Sequence, residues 1–545
     1  MKRKILMSNL KMKPGLFATG MWLLLLLGGV QELRAQDAQA NTLKFGRLLR
    51  LVESYYVDTT NINRLTEKAI VSMLQELDPH SVYITRDEVE KMNEPLKGNF
   101  EGIGVSFNIH KDTLLVVSTV PGGPSERTGI QAGDRILSID GRNVAGIGLT
   151  NNDVFNQLRG EKGTSVQLKI LRKNVRGLLD FTVIRDKIPI NSLDASYMLD
   201  KETGYIKLNR FSATTMEEFK AAMEALREEK MTRLVLDLRN NGGGYLNAAT
   251  DLAREFLSAG KMMVYTEGVH HPRKEYKSTG GGSFEKGNLV VLVNEGSASA
   301  SEIVAGAIQD WDRGIIIGRR SYGKGLVQQP YYLTDGSMVR LTSAHYYTPS
   351  GRCIQKPYDQ GVEDYRTEGL KRFENGEMFH ADSIHVADSL RYKTLASGRT
   401  VYGGGGIVPD IFVPLDTSSL FAYYNRLQRN NIVYNYVLDY LDQNRTSLLG
   451  KYPTFDKFRD KFQPGEEMIE GIVAAGEKDS IARDQKSIDF TLPMMKREIR
   501  AHMARSLYTA DHFYQIINEE DSMIRKAMEV LANQEQFSLI LASKE

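Results

Sequence analysis

The chain holds a single cysteine, Cys353, among 545 residues, so no disulfide can close within it and a structural role is expected for that thiol. No cysteine stands beside the apolar stretch near the N-terminus, which argues against a lipid anchor there. Net charge is nearly absent as well: 70 Lys and Arg against 68 Asp and Glu leave +2, which gives no reason to expect a nucleic acid as partner. The nine histidines are scattered, and His270-His271 and the pair His380 and His385 lack the helical i, i+4 spacing around a glutamate that zinc catalysis uses, so neither a metal nor another cofactor is expected. Internal repeats and low-complexity tracts are missing too.

What is present is ordinary for globular protein: 41% hydrophobic and 25% charged residues, in a chain long enough for several domains. Lys2, Arg3, Lys4, Lys11 and Lys13 precede an apolar run that includes Met21 to Leu27, and small residues follow at Ala35, Ala38 and Ala40. Residues 1–35 therefore read as an export signal cleaved after Ala35 or Ala40, with an uncleaved signal anchor as the competing reading. Either places the bulk of the chain outside the cytoplasm, periplasmic and soluble or tethered to the inner membrane.

Leu289 to Val293 is too short to span a membrane and reads as a strand buried on both faces. A turn of small residues follows, and Ile303, Val304, Ala307, Ile308 and Trp311 recur at helical spacing. Ser301 and Glu302 suit the helix start, as cap and favourable charge. A serine held between a buried strand and a helix N-terminus sits on a rigid scaffold beside free backbone N–H groups, which is a nucleophile's position. Of Ser297, Ser299 and Ser301 the local pattern favours Ser299, against the plainer reading that all three are merely small turn residues. Lys324 lies between Gly323 and Gly325 after another apolar run, Gly314 to Gly318. A lysine acts as a base only when burial or a nearby cation brings its pKa to about 7 to 8; the alternative is a solvated surface lysine. Gln328 could orient such an amine without adding negative charge. Leu234 to Leu238 reads as a further buried strand, and Gly242 to Gly244 behind it free the backbone to face a ligand.

Gly296-Ser-Ala-Ser-Ala-Ser-Glu-Ile303, Gln309-Asp310 and Gly323-Lys-Gly-Leu-Val-Gln328 resemble the active-site signature of the carboxyl-terminal processing peptidases, the tail-specific serine proteases of family S41. Four more blocks match that family in order: Leu77-Asp-Pro-His-Ser-Val-Tyr83, Leu236-Asp-Leu-Arg-Asn-Asn-Gly-Gly-Gly244, His345-Tyr-Tyr-Thr-Pro-Ser-Gly-Arg352 and Tyr402-Gly-Gly-Gly-Gly-Ile-Val-Pro-Asp410. The family's spacing between nucleophile and lysine selects Ser299. The resemblance further implies Lys324 as general base, Gln328 as its orienter, and an oxyanion hole of the Ala300 N–H with one glycine, Gly243 ranked ahead of Gly242. His345 is the one histidine able to rival Lys324, but no Asp or Glu is obviously placed to hold its tautomer, so it is read as structural.

From about Phe100 to Arg172 the strand pattern resembles a PDZ domain, with Gly102, Ile103, Gly104 and Val105 in the place of the carboxylate-binding loop. Helical spacing runs from about Thr42 to Leu77, strands and helices alternate after the PDZ region, and Thr215-x-x-Glu218 resembles a capping box. Residues 416–545 read as mostly helical, with Met495, Ile499, Met503 and Leu507 on one face.

The expected fold is a multidomain α/β protein: a leader (1–35), a small N-terminal helical domain (41–95), a PDZ domain (96–175), a crotonase-like α/β protease core (176–415) and a helical C-terminal domain (416–545). The implied activity is a serine endopeptidase that captures protein C-termini through the PDZ domain and cleaves through an acyl-enzyme. Its implied partners are proteins with free, apolar C-termini, with an adaptor protein and a homo-oligomer left open. The rival readings are a catalytically silent PDZ scaffold and a crotonase-like ligand-binding protein.

Overall fold

A computed structural model describes residues 37–173, 175–416 and 418–542, so the expected leader lies outside the described residues. The described residues form two compact units that divide between Leu77 and Asp78. In the first, residues 37–55 are helical and a second helix, Ile62–Gln75, starts at Asn61, whose Oδ1 accepts the Arg64 N–H at 3.0 Å. The helical spacing read from about Thr42 to Leu77 ends where the chain turns after Leu77. Asp78 accepts the N–H groups of His80 and Ser81 at 2.7 and 2.8 Å, a turn that competes with helix, and Val82–Ile84 is a strand paired with Met338–Tyr347.

The core of the second unit is a six-stranded sheet in the order Leu193–Met198, Thr203–Leu208, Arg233–Asp237, Asn288–Val293, Ile315–Gly318 and Ile411–Phe412. All neighbours pair in parallel except the first two strands. Buried β-branched and Leu side chains fill both faces, as a covered parallel sheet requires. Helices Thr215–Glu228, Leu246–Arg254 and Ala300–Asp310 close one face. Met523, Ile524, Ala527, Val530 and Leu531 of the helix Ser522–Ala532 close the other against Val235, Val290, Leu292 and Ile315. The last helices of the chain are thus a layer of this core, while Met495, Ile499, Met503 and Leu507 lie buried in a separate helical core. The loops after Asp237, Val293 and Gly318 emerge side by side at the carboxyl ends of parallel strands, where crevices form in such sheets.

A second, antiparallel sheet carries Val82–Ile84, Met338–Tyr347, Met262–Gly268 and His271–Lys277, with Leu326–Tyr332 paired to Met338–Tyr347. Several of the sequence blocks quoted above meet at Arg352. Its fully buried guanidinium binds Asp310 at 2.6 Å, Gln309 Oε1 at 2.7 Å and the Tyr402 carbonyl at 2.9 Å, with 0% of either charged side chain exposed.

The PDZ-like region orders its strands Val105–His110, Thr113–Thr119, Arg135–Ile139, Ser165–Leu171 and Leu179–Ile184, with the helix Asn151–Leu158 opened by a Thr150 cap. Strands Asn99–Gly102 and Asp186–Pro189 pair at its entry and exit. The outer side of its sheet packs on the helix Ile432–Lys451: Arg135 binds Asp442 through two bonds of 3.1 Å, His110 lies 2.7 Å from Asp439, and Leu115, Val117 and Leu438 are buried together. Among the described residues no helix is long and apolar enough to cross a membrane.

Candidate active site

The turn between the strand Asn288–Val293 and the helix Ala300–Asp310 is anchored by the two serines that flank Ser299. Ser297 Oγ donates to the Leu238 carbonyl at 2.8 Å and Ser301 Oγ to the Asn241 carbonyl at 2.9 Å, so both hydroxyls are committed to the neighbouring glycine loop. The cap expected of Ser301 falls instead to Ser299, because Ser301 is already inside the first turn. Ser299 has φ 56° and ψ −111°, a conformation that L residues rarely adopt and that stores about 1–3 kcal/mol of strain.

What holds it there is Glu302. This fully buried carboxylate accepts the Ser299 N–H at 2.8 Å, the Gly323 N–H at 2.7 Å, the Lys324 N–H at 2.9 Å and the Ser321 hydroxyl at 2.5 Å. Burial pushes the carboxyl's pKa up, and the four donors pull it the other way by stabilising the charged form. One side chain therefore ties the serine turn to the lysine loop.

The Lys324 ammonium donates to Gln328 Oε1 at 2.9 Å, and Gln328 Nε2 donates to the His80 carbonyl. Burial lowers the Lys324 pKa and the Arg340 guanidinium lowers it further, against opposing effects of Glu302 and Asp78. Lys324 Nζ and Ser299 Oγ make no hydrogen bond with each other. The His80 ring lies 2.7 Å from the Tyr365 hydroxyl, and burial, followed by the Lys324 charge, brings its pKa to about 4. The Tyr346 hydroxyl reaches the Ser299 carbonyl at 3.0 Å and also the Lys324 carbonyl. Arg340 and Tyr346 share the strand parity of the buried Met338 and Ala344, whereas His345 has the opposite parity and does not line the cleft.

Ser299, Ala300, Lys324, Gln328 and Gly242 to Gly244 all line one cleft of about 840 Å³. Gly243, at φ +98°, lies against the serine turn so tightly that a Cβ there would meet Ser299 Cβ and the Ala298 carbonyl at 2.8 Å. Its N–H is already donated to Asn241 Oδ1 at 2.9 Å, whereas the N–H of Gly242 has no hydrogen-bond partner among the described residues. In the PDZ-like region Ile103 and Gly104 form the loop into the edge strand Val105–His110, whose Gly102 side pairs with Asp186. The Ile103 and Gly104 carbonyls accept from Ser125 and Val120 at 3.0 Å each, and the two N–H groups have no acceptor among the described residues. The span of Glu302 and the roles of His80, Tyr346 and Arg340 were not read from the sequence; the available signals were the Leu77 to Tyr83 block and the strand alternation from Met338 to Tyr347.

A family model described as peptidase family S41 matches residues 202–364, one for the PDZ domain matches residues 91–171, and a family of unknown function, DUF8443, matches residues 423–533. A carboxy-terminal-processing protease of Bartonella bacilliformis is 36% identical over 324 residues, covering 59% of this chain and 74% of the relative. The carboxy-terminal processing protease CtpB of Bacillus subtilis is 34% identical over 371 residues, covering 65% of this chain and 76% of the relative. Among solved structures, a photosystem II D1 C-terminal processing protease shares 30% identity over 58% of this chain and 88% of its own, with a TM-score of 0.33.

Proposed function

The chain belongs to the carboxy-terminal processing proteases of peptidase family S41, serine-type enzymes with a PDZ domain, and on that premise we propose that Ser299 is its nucleophile and Lys324 its general base. The observation that carries this reading is the Glu302 carboxylate, which binds the backbone of both residues and holds the lysine loop in register with the serine turn.

In the proposed reaction neutral Lys324 takes the proton of the Ser299 hydroxyl as Oγ attacks the scissile carbonyl carbon. The tetrahedral oxyanion is held by the N–H groups of Ala300 and Gly242. The Lys324 ammonium then gives its proton to the leaving nitrogen, the C–N bond breaks, and an acyl ester remains on Ser299. Water attacks that ester and gives one proton to Lys324; the ester C–O bond then breaks as Lys324 returns that proton to Ser299 Oγ, and the new acid leaves as a carboxylate after losing its remaining proton to solvent. Gln328 accepts a hydrogen bond from the lysine without charging its surroundings, which suits an amine that must be neutral to work. The free N–H groups of Ile103 and Gly104 support capture of a substrate's α-carboxylate, with the tail added as a strand along Val105–His110. The basic and apolar pattern of residues 1–35 supports export and a periplasmic site of action.

Incubating the folded enzyme with an unfolded polypeptide ending in apolar residues tests the assignment. Cleavage by the parent chain, abolished in both Ser299→Ala and Lys324→Met, is expected; cleavage retained by either variant contradicts it.

A further inference from the structure

The cleft around Ser299 contains no acidic residue in its lining, yet four cations open onto it. Besides Lys324 these are Lys97 at the end of the helix Arg86–Lys97, Lys274 in the strand His271–Lys277, and Arg340 in the strand Met338–Tyr347. They come from three separate elements, so no single amphipathic pattern accounts for their meeting.

None of the three forms an ion pair among the described residues, and the carboxylates nearest to them in sequence are engaged elsewhere. Glu94 binds Arg159, while Glu275 binds Arg273 at 3.0 Å and Lys277 at 2.9 Å. Lys274 rests its ammonium 5.0 Å over the Tyr276 ring, itself in the cleft lining. Arg340 is half-buried, and a desolvated guanidinium without a counter-charge is costly to keep. A carboxylate arriving with the substrate would offset that cost, and the surrounding positive potential would favour its approach.

We propose that the cleft selects polypeptide segments carrying Asp or Glu side chains close to the scissile bond, bound by Arg340, Lys97 and Lys274. The inference rests on the protease reading and deepens it: the PDZ loop takes the terminal carboxylate, and the cleft takes acidic side chains upstream of it. A charge-assisted hydrogen bond of this kind contributes about 1.5–3 kcal/mol, which corresponds to about ten- to a hundredfold in kcat/KM.

The test uses the full chain and two unfolded polypeptides with the same free apolar C-terminus, one bearing Glu and the other Gln at the positions flanking the cut, mapped by mass spectrometry. The shared terminus keeps the α-carboxylate constant, so the difference reads the side chains alone. The expected result is cleavage of the Glu polypeptide with about ten- to a hundredfold higher kcat/KM, mainly through KM, shrinking as salt rises. Lys97→Glu with Lys274→Glu, both exposed positions, is expected to narrow that ratio, and Arg340→Gln added to them to abolish it. Equal cleavage of the two polypeptides by the parent chain overturns the inference and leaves the protease reading standing, as does a ratio unchanged in the triple variant. Failure of the parent chain to cut either polypeptide overturns the protease reading, and the inference falls with it.

Discussion

At Ser299 a side chain stands on a backbone better suited to glycine, with φ 56° and ψ −111°. Ser299→Gly is therefore expected to be more stable than Ser299→Ala by about 1–2 kcal/mol in denaturant unfolding, though both are inactive. At Lys324 the sign of the pH dependence follows from its environment. A lysine base must be neutral, and burial with Arg340 nearby lowers the Lys324 pKa, so kcat/KM is expected to rise with pH through a value below the ordinary lysine's ~10.4. Arg340→Gln removes a charge that lowers this pKa, and the rising limb of the profile is expected to move to higher pH. Ser299 and Lys324 stand out in the sequence because each sits in a small-residue or glycine turn just after a buried apolar run, and the fold brings both to one cleft. The difference between the two glycines was not legible: Gly243 and Gly242 look alike in sequence, and only the fold shows that Asn241 turns back to accept the Gly243 N–H.

At the scale of elements, Glu302 shows how a first-turn residue joins two loops. Glu302→Gln keeps the size but presents an amide N–H₂ to donors that need an acceptor. A loss of kcat of at least about tenfold is expected, with the strain at Ser299 left less well held. The buried Arg352 clamps the helix Ala300–Asp310 to the Tyr402 segment, and Arg352→Met, leaving Asp310 buried without its partner, is expected to destabilise the chain by about 3–5 kcal/mol by denaturant midpoint. Helix positions were legible from apolar spacing, their caps less so. The helix Thr215–Glu228 starts at Thr214, and the Glu218 carboxylate accepts from Ser192 and Leu193 at 2.8 and 2.9 Å rather than closing a box with Thr215. A capping pattern specifies what a side chain can accept, while tertiary neighbours decide which donor arrives.

For the whole molecule, the order of PDZ region, α/β core and helical C-terminal region was readable from changes in hydrophobic period. What the final helices cover was not, since an amphipathic stripe reveals a buried face without naming its partner; here Ser522–Ala532 closes the second face of the core sheet. The PDZ region is held to the helix Ile432–Lys451 by Arg135, His110 and Leu115 with Val117, so Asp442→Ala with Asp439→Ala is expected to speed amide exchange in Thr113–Thr119 without altering the helical core. The central claim joins these scales: a dry, neutral Lys324 activates Ser299. It is tested most directly by the rate at which purified, folded Lys324→Met cuts an unfolded polypeptide with an apolar terminus. The account predicts a loss of at least about a thousandfold relative to the parent chain, matching Ser299→Ala; a Lys324→Met enzyme that cuts at the parental rate would contradict it.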